Sequence, residues 1–394
     1  MTPALRFLEF SDNWVESKLG EIAAFRKGKA VSKADIVEGG NTPCIRYGEL
    51  YSTYGQVIDN PVSKTNLPDA ELLFSQSNDV VIPASGETPL DIATAACVLR
   101  GGVALGGDLN IIRGAANGVF LAYYLSSKKK REIARLGQGN SVVHLYGSHL
   151  AGLKVKIPSA LEQHRISELI LSVDERIKLL QRRRDAVARY KKGMMQRLFN
   201  QSLRFTRDDG TAFPDWEAKR LGEVAKINPK SGALPDVFQY IDLESVTNGQ
   251  LAATSTIQSY DAPERAQRVV MDGDILFQTV RPYQMNNLYF GHGENYVAST
   301  GYAQIRSKTN SRFLYHLLLN EQFVREVIRR CTGTSYPAIN SSDLGGIVID
   351  LPHPDEQRKI ADALSAIDEK ITAVSAQVFQ MQAFKKGLLQ QMFV

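Results

Sequence analysis

The sequence is poor in cysteine and has no long apolar run. Its three cysteines, Cys44, Cys97 and Cys331, form no C-x-x-C pair and no zinc-ligand spacing, so we expect neither a disulfide framework nor a zinc site. No run of about eighteen apolar residues occurs, which predicts that no segment spans a membrane. Arg6 and Glu9 interrupt the N-terminal segment, which argues against a secretory signal. A cytoplasmic location is the simplest interpretation.

The motifs of a self-sufficient active site are also missing. The sequence contains no G-x-x-x-x-G-K-[ST] phosphate loop, no G-x-S-x-G or H-E-x-x-H motif and no EF-hand loop. Asn60-Pro61 and Asn228-Pro229 do not continue as the N-P-P-Y or D-P-P-Y motif of methyltransferases. The six histidines lie without ligand spacing. We therefore expect no catalytic residue, no metal and no cofactor on this chain.

The positive charge is small in total but unevenly placed. The chain of 394 residues is long enough for two or three domains, and its net charge is +5. Residues 161–199 hold ten Lys and Arg against five acidic residues, so this segment accounts for the whole net charge. A basic stripe on one helix indicates either a nearby polyanion or a solvated helix face, and composition leaves both open.

One segment occurs twice. GSHLAGLKVKIPSALEQHRISELILSVDERI at 147–177 aligns without a gap with SSDLGGIVIDLPHPDEQRKIADALSAIDEKI at 341–371. In both copies an alternating, β-branched segment (153–158 and 347–352) predicts a strand that proline ends. The pattern S-A-L-E at 159–162 is typical of a capping box, which predicts the start of a helix. The repeated unit is therefore a strand, a proline and a helix.

The repeat extends over most of the chain. The N-terminal segment 6–22, with Trp14, recurs at 204–224 with Trp216, and we interpret the two tryptophans as structural anchors at equivalent places. Before each long helix the sequence predicts short strands, Gly-rich turns and one shorter helix, at about 118–135 in the first copy and 311–329 in the second. This mixture favours an α+β fold. The middles of the two copies have diverged, at 23–76 and 225–271.

Two long helices are predicted, at roughly 161–199 and 355–393, with apolar residues spaced alternately by four and three. We predict that they pair antiparallel as a coiled coil. Glycines interrupt both helices at Gly193 and Gly387, which indicates either tolerance or a close backbone approach. The predicted seam comprises Ile166, Ile170, Val173, Ile177, Leu180, Arg184, Val187, Tyr190, Met194 and Leu198, and then Ile360, Leu364, Ile367, Ile371, Val374, Val378, Met381, Phe384, Leu388 and Met392.

On these residues the chain resembles the specificity subunit of a type I restriction–modification system. The resemblance covers almost the whole chain. Its most specific parts are L-R-F…W…K-L-G-E-I at 5–22, R-F…D-D-G-T-A-F-P-D-W at 204–216, P-x-x-x-E-Q at 158–163 and 352–357, and G-T-S-Y-P-A-I-N-S-S-D-L at 333–344. The first copy departs from the last of these and reads N-S-V-V-H-L-Y-G-S-H-L at 140–150.

The resemblance implies two target recognition domains, each followed by a long helix. It also implies that the N-terminal segment 6–22 lies near the C-terminal helix. The expected division is a first recognition domain with the N-terminal repeat segment at 1–157, a central spacer helix at 158–203, a second recognition domain at 204–351 and a C-terminal spacer helix at 352–394.

The family's function is implied in the same way. Each domain would read half of a bipartite, asymmetric site in double-stranded DNA. Two methyltransferase subunits would use S-adenosylmethionine to methylate adenine N6, and restriction subunits would use ATP and Mg²⁺ for cleavage. The competing hypotheses are a non-catalytic coiled-coil adaptor, a self-contained DNA methyltransferase or nuclease, and an RNA-binding module.

Candidate DNA-reading residues are polar and aromatic side chains in loops after predicted strands, because such groups can pair with base edges. An ordinary solvated or capping role is the alternative for each of them. The candidates are Arg46, Tyr47, Ser85, Glu87, Thr88, His144 and Tyr146 in the first domain, and Tyr240, Thr279, Arg281, Tyr283, Gln284, Ser299, Thr300, Thr334 and Tyr336 in the second. Phosphate contacts are expected from Lys27, Lys29, Lys33 and Lys230.

Overall fold

A computed structural model describes residues 2–114, 116–139 and 141–394. Contacts divide the chain into two compact units. The first unit holds the residues up to Gln181 together with Ala376–Val394, and the second holds Arg182–Ser375. Among the described residues, no helix is both long enough and apolar enough to cross a membrane.

The first unit combines a five-stranded sheet, a three-stranded sheet and two strand pairs with several helices. The sheet orders are β2-β10-β6-β8-β4, β5-β3-β9, β1-β12 and β7-β11. Its strands are β1 (Val15–Lys18), β2 (Ala23–Lys27), β3 (Thr42–Ile45), β4 (Val57–Ile58), β5 (Ser63–Thr65), β6 (Asp79–Pro83), β7 (Ser85–Gly86), β8 (Ala96–Val98), β9 (Ala104–Leu105), β10 (Leu109–Gly114), β11 (Val143–His144) and β12 (Lys154–Ile157). Its helices are α1 (Leu19–Ile22), α2 (Glu49–Ser52), α3 (Gly118–Ser127), α4 (Lys130–Leu136), α5 (Gly147–Ala151), the first part of α6 (Ala160–Phe199) and the last part of α11 (Pro354–Met392).

The second unit contains two four-stranded sheets and two strand pairs. The sheet orders are β14-β23-β20-β21, β18-β15-β22-β19, β13-β24 and β16-β17. Its strands are β13 (Glu217–Arg220), β14 (Ala225–Ile227), β15 (Val237–Ile241), β16 (Val246–Thr247), β17 (Gln250–Leu251), β18 (Ser255–Gln258), β19 (Ala266–Val270), β20 (Ile275–Gln278), β21 (Leu288–Tyr289), β22 (Tyr296–Ser299), β23 (Tyr302–Ser307) and β24 (Val348–Leu351). Its helices are the last part of α6, α7 (Leu221–Val224), α8 (Ser311–Leu318), α9 (Glu321–Arg330), α10 (Ser341–Gly345) and the first part of α11.

A fully buried strand lies at the centre of each unit and serves two cores. In β6, Val80 and Ile82 pack in the core that contains α3, while Val81 packs in a second cluster on the other face of the sheet. In β20, Ile275 and Leu276 divide in the same way. Because successive side chains of a strand point to opposite faces, a continuous apolar run fills both cores. Because each unit combines such sheets with helices, the α+β fold class is confirmed.

The two long helices agree with the prediction to within one residue at each end, since α6 spans Ala160–Phe199 and α11 spans Pro354–Met392. In the first unit Lys385 binds Asp174 at 2.6 Å, and in the second unit Lys191 binds Asp368 at 2.6 Å. A later residue of α6 thus meets an earlier residue of α11, so the helices run antiparallel. The two ion pairs are equivalent under the 194-residue repeat.

The predicted seam is wrong at two equivalent positions. Tyr190 and Phe384 are 60% and 53% exposed, whereas most of the other seam residues are buried. The lysines that follow them, Lys191 and Lys385, turn inward instead and pair with aspartates of the other helix. An ion pair between the helices therefore replaces an aromatic contact.

The helix predicted before each long helix is two helices in the structure. In the second unit α8 ends at Leu318 and α9 begins at Glu321. The side chain of Asn320 caps α9, accepting a hydrogen bond from the backbone N–H of Gln322 at 2.7 Å. Such a cap satisfies an unpaired amide at a helix start, which favours a new helix over a continuous one. In the first unit the break separates α3 from α4.

The glycines of the long helices make no close approach to another segment. Apart from its chain neighbours and the nearby backbone of its own helix, a Cβ built on Gly193 or on Gly387 would meet no described atom within 4 Å. The close-approach interpretation is therefore wrong as far as the other helix is concerned. The other two interpretations stay open, namely that the helix simply tolerates the glycine or that a separate partner contacts it.

Candidate nucleic-acid interface

The repeated sequence motifs form a structural clamp in the first unit. Arg6 donates through Nε and Nη2 to the carboxylate oxygens of Glu162 at 2.8 and 2.7 Å. The indole N–H of Trp14 donates to the same carboxylate at 3.2 Å. The Glu162 side chain is buried, and because Arg6 and Trp14 bind its carboxylate, it does not complete the predicted capping box. Only the Ser159 half forms, with its hydroxyl accepting from the Glu162 N–H at 3.3 Å.

The second unit repeats this clamp with the equivalent three residues. Arg204 donates to Glu356 at 3.1 and 2.8 Å, and Trp216 donates to Glu356 at 3.1 Å. Paired donation from a guanidinium to a buried carboxylate is among the stronger polar contacts in proteins. The prediction that both tryptophans are structural anchors is confirmed.

The glutamine of each P-x-x-x-E-Q motif ties a third element to the clamp. The amide of Gln163 donates to the carbonyl of Pro158 at 2.8 Å and accepts from the backbone N–H of Asn117, the residue that caps α3, at 2.8 Å. Gln357 makes the equivalent pair of bonds in the second unit. The similar ends of the two copies are therefore architectural.

The N-terminal segment also reaches the C-terminal helix, as the resemblance implied. The backbone N–H of Leu5 donates to the carbonyl of Gln391 at 3.0 Å. Phe7 packs in the core of the first unit together with Met392 and Phe393. The two ends of the chain are joined in this unit.

Loop residues of the first unit meet through the β7–β11 pair, in which Ser85 lies opposite His144. Ser85 is buried, whereas Glu87, Thr88 and His144 are exposed and Tyr146 is 51% exposed. These four exposed residues are called the first loop surface below. Ser85 is buried and is paired with His144 of this surface.

Arg46 and Tyr47 lie beside the first loop surface, and neighbouring residues restrict both side chains. Arg46 is held by Glu49 at 2.9 Å, so its guanidinium is already engaged. Tyr47 packs against Tyr51, with ring centroids 6.4 Å apart. Burial raises the pKa of Tyr51, and the nearby Tyr47 and Glu87 add to the shift, which places these side chains together. Tyr47 is thus a neighbour of the surface.

A second loop surface forms where the segment after β20 meets residues 332–338. Val280 and Ala338 form a bridge, and the backbone N–H of Arg281 donates to the carbonyl of Pro337 at 2.8 Å. The Arg281 guanidinium lies over the ring of Tyr336 at 4.3 Å from its centroid. The second loop surface comprises Thr279, Arg281, Tyr283, Gln284, Thr334 and Tyr336.

The turn in this second loop surface is strained. Arg281 and Met285 both adopt φ of 54°, on either side of the short 3₁₀ turn Pro282–Gln284. A left-handed conformation costs a non-glycine residue roughly 1–3 kcal/mol and tends to occur at functional sites. Tyr283 and Tyr336 remain 53% and 63% exposed. The turn therefore presents aromatic and cationic groups outward on a fixed backbone.

The remaining candidates of the second domain are Tyr240, Ser299 and Thr300, which lie in or directly after strands of the sheet β18-β15-β22-β19. Ser299 is buried and accepts a hydrogen bond from the N–H of Gly301 at 3.2 Å. Tyr240 packs against an apolar cluster, and Thr300 is partly buried. The hydroxyl of Thr279 donates to the carbonyl of Gly301 at 2.8 Å, which joins this turn to the second loop surface. Ser299 is thus a supporting residue by its position.

The two loop surfaces occupy equivalent places but differ in chemistry. Each follows the central buried strand of its unit, and each is joined to the segment before the repeated short helix, α5 or α10. The first offers a carboxylate and an imidazole, the second offers a guanidinium and a carboxamide, and both carry hydroxyl groups. Such donors and acceptors match base edges in a DNA groove. Within the described residues there is no group of three or more His, Cys, Asp or Glu placed to hold a metal.

The structure is thus a duplicated α+β unit with antiparallel long helices and an exposed loop surface on each copy. The chain matches the family model described as the type I restriction modification DNA specificity domain over residues 11–189 and 214–378, and it belongs to that family.

Individual relatives agree with this assignment. The type I restriction enzyme MjaVIII specificity subunit of Methanocaldococcus jannaschii is 23% identical over 406 residues, covering 97% of this chain and 92% of the relative. The EcoDI specificity subunit of Escherichia coli is 22% identical over 300 residues, covering 68% and 67%. The crystal structure of a type I S subunit from M. genitalium shares the fold, with a TM-score of 0.65 at 16% identity over 100% of this chain and 99% of that one.

Proposed function

We propose that this specificity subunit reads a bipartite, asymmetric site in double-stranded DNA, one half with each loop surface. The observation that carries the proposal is the equivalent placement of two surfaces with different donors and acceptors. Readout of different base pairs requires different side chains, while a shared framework requires alike ones. The clamps are the parts that the two copies share, and the loop surfaces are the parts in which they differ.

The proposed division assigns target recognition to 1–157 and 204–351 and spacing to the helical segments 158–203 and 352–394. The 40 residues of α6 extend about 60 Å at 1.5 Å per residue. One turn of B-DNA is about 34–36 Å long. A helix of this length is therefore long enough to serve as a spacer between half-sites.

We propose that catalysis belongs to partner subunits and that this chain has no catalytic role. Two methyltransferase subunits would supply S-adenosylmethionine chemistry at adenine N6, and restriction subunits would supply ATP- and Mg²⁺-dependent cleavage. The exposed aromatics Tyr190 and Phe384 support two equivalent docking places, because they are related by the repeat and lie on different helices. Exposed aromatic residues are enriched where proteins bind one another.

Mapping of N6-methyladenine tests the proposed readout. The chain would be expressed with its methyltransferase partner in a host free of adenine methylation, and every methylated site would be sequenced. We expect one split motif. Arg281→Ala should relax one position of one half-site, because losing a base-edge contact costs about 1–3 kcal/mol of discrimination. Tyr146→Ala should affect only the other half-site.

Arg325→Ala provides a matched control, since Arg325 is an exposed arginine of α9 in the same unit. It should leave the motif unchanged. If methylation were the same with this chain omitted, the chain would not be the specificity determinant, and the coiled-coil adaptor hypothesis would replace the present one.

The docking proposal predicts a change in stoichiometry. Tyr190→Ala and Phe384→Ala should each weaken one methyltransferase site by about 1–2 kcal/mol, roughly tenfold, and the double variant should weaken both. Mass photometry at graded concentrations would report complexes with two, one or no methyltransferase copies. Tyr260→Ala is the control, because Tyr260 is an 82% exposed aromatic that lies in the short turn Ser259–Asp261 and not on a long helix. Equal behaviour of all three single variants would remove the aromatic pair from the interface.

A further inference from the structure

A buried glutamine beneath the second loop surface has an orientation that the backbone determines. Gln278, the last residue of β20, is only 2% exposed. Its Oε1 accepts a hydrogen bond from the backbone N–H of Asn286 at 3.2 Å. A backbone amide can only donate, so the oxygen of the Gln278 side chain must face Asn286 and its Nε2 must face the other way.

That nitrogen fixes a second glutamine at the surface. Nε2 of Gln278 donates to Oε1 of Gln284 at 2.8 Å. Because Gln278 offers only a donor here, Gln284 must accept with its oxygen. This removes the usual ambiguity about which end of the side-chain amide is oxygen and which is nitrogen. Gln284 itself is exposed. Its Nε2, with two hydrogens, is the group left for a ligand.

The surrounding backbone preserves this arrangement. The N–H of Gln278 donates to Oδ1 of Asn287 at 2.8 Å, which closes the loop between β20 and β21. Gln284 ends the 3₁₀ turn that the left-handed residues Arg281 and Met285 flank. A buried amide costs free energy unless its polar atoms are paired, and the pairing found here holds the exposed amide in one orientation.

We propose that Gln284 is a donor-type base reader and that Gln278 is the positioning residue that sets its polarity. This inference rests on the proposed DNA-reading function. The Nε2 group of Gln284 would bind a base-edge acceptor in the major groove, namely purine N7, guanine O6 or thymine O4. Cytosine offers only its N4 donor there, so the contacted base should not be cytosine.

The experiment uses the chain in complex with its methyltransferase partner and a duplex library randomised across both half-sites. Bound duplexes are sequenced for the wild type and each variant. Gln284→Ala should lose preference at one position, by about fivefold for one hydrogen bond. Gln278→Met should lose preference at that same position, although Gln278 touches no DNA, and should leave the other positions intact.

Gln278→Glu gives the sharpest result. A carboxylate would still accept from the Asn286 N–H but could only accept from Gln284, so the Gln284 amide must turn and present its oxygen. Preference at the position should then shift toward the N4 donor of cytosine or the N6 donor of adenine. If burial of this carboxylate prevents folding, the comparison of Gln278→Met with Gln284→Ala decides the question.

Gln304→Met is the matched control. Gln304 is also a buried glutamine, on the neighbouring strand β23 opposite Leu276, and it donates to Asp274 at 2.7 Å rather than to the loop surface. Its replacement should lower stability without moving base preference. The proposal fails if the wild type selects a motif that neither Gln284→Ala nor Gln278→Met alters. A wild-type complex that selects no motif would instead refute the DNA-reading function itself.

Discussion

Replacing Glu162 by alanine is expected to destabilise the first unit by about 3–5 kcal/mol, because the change removes the buried partner of a charge. The Glu162 carboxylate holds both Nε and Nη2 of Arg6 and the indole N–H of Trp14. The side chains of Arg6 and Glu162 are 12% and 2% exposed, so the guanidinium left behind would have little access to water. The N-terminal segment, which pairs β1 with β12, should detach first.

Urea unfolding followed by hydrogen exchange would measure this effect unit by unit. Glu168→Ala is the matched control, because Glu168 lies on the same helix with a side chain that is 51% exposed and contacts only surface partners. Exposed pairs contribute about 0–1 kcal/mol, so the control should change little. Glu356→Ala should reproduce the large effect in the second unit. Equal losses from Glu162→Ala and Glu168→Ala would show that the clamp adds nothing to stability.

The clamp also illustrates what the sequence could and could not reveal. The repeat, the strand before each proline, both long helices and the anchoring role of the tryptophans were predictable, because each depends on local pattern and on similarity between the copies. The capping box at Glu162 was half wrong, because its carboxylate is bound by Arg6, 156 residues away in the sequence. Pairing over that separation depends on the completed fold.

The loop surfaces were predictable only as a set of residue types. Thr88, Arg281 and Tyr336 were chosen for their chemistry, and nothing local distinguished them from the buried Ser85 and Ser299. Gln278 was missed because its role depends on a backbone N–H eight residues away in a non-repeating turn. Its one sequence signal was a polar residue at the end of an apolar strand. Which of the candidates read bases stays a prediction.

The second large effect is expected at low pH and should be confined to the second unit. His316 is 2% exposed; its Nε2 lies 3.3 Å from Ser365 Oγ, and its Nδ1 has no hydrogen-bond partner among the described residues. Burial, and then the charges of Lys191 and Arg312, lower the pKa of His316 to about 3. Asp368 lies 3.9 Å from Nδ1, but Lys191 already binds that carboxylate.

The sign of the pH dependence follows from the lowered pKa. Above pH 6.5, the ordinary histidine value, His316 is neutral in both states and the full stability is present. As the pH falls from 6.5 toward 3, only the unfolded state binds the proton, so the free energy of unfolding drops by about 1.4 kcal/mol per pH unit. Between pH 6.5 and pH 5 the second unit should therefore lose about 2 kcal/mol.

The first unit contains its own control for this prediction. Tyr123 occupies the place of His316 in the repeat, and its hydroxyl donates to Asp174, the equivalent of Asp368. Burial raises the pKa of Tyr123, so this group stays protonated throughout the acid range. His316→Tyr should give the second unit the behaviour of the first and remove the slope between pH 6.5 and 5. Because the carboxylates titrate in both proteins, the difference between wild type and variant isolates the imidazole. If the free energy of unfolding fell equally with pH in the two proteins, the prediction would be contradicted. That result would mean that His316 binds its proton in the folded unit without cost, because its side chain becomes accessible to water before the unit unfolds.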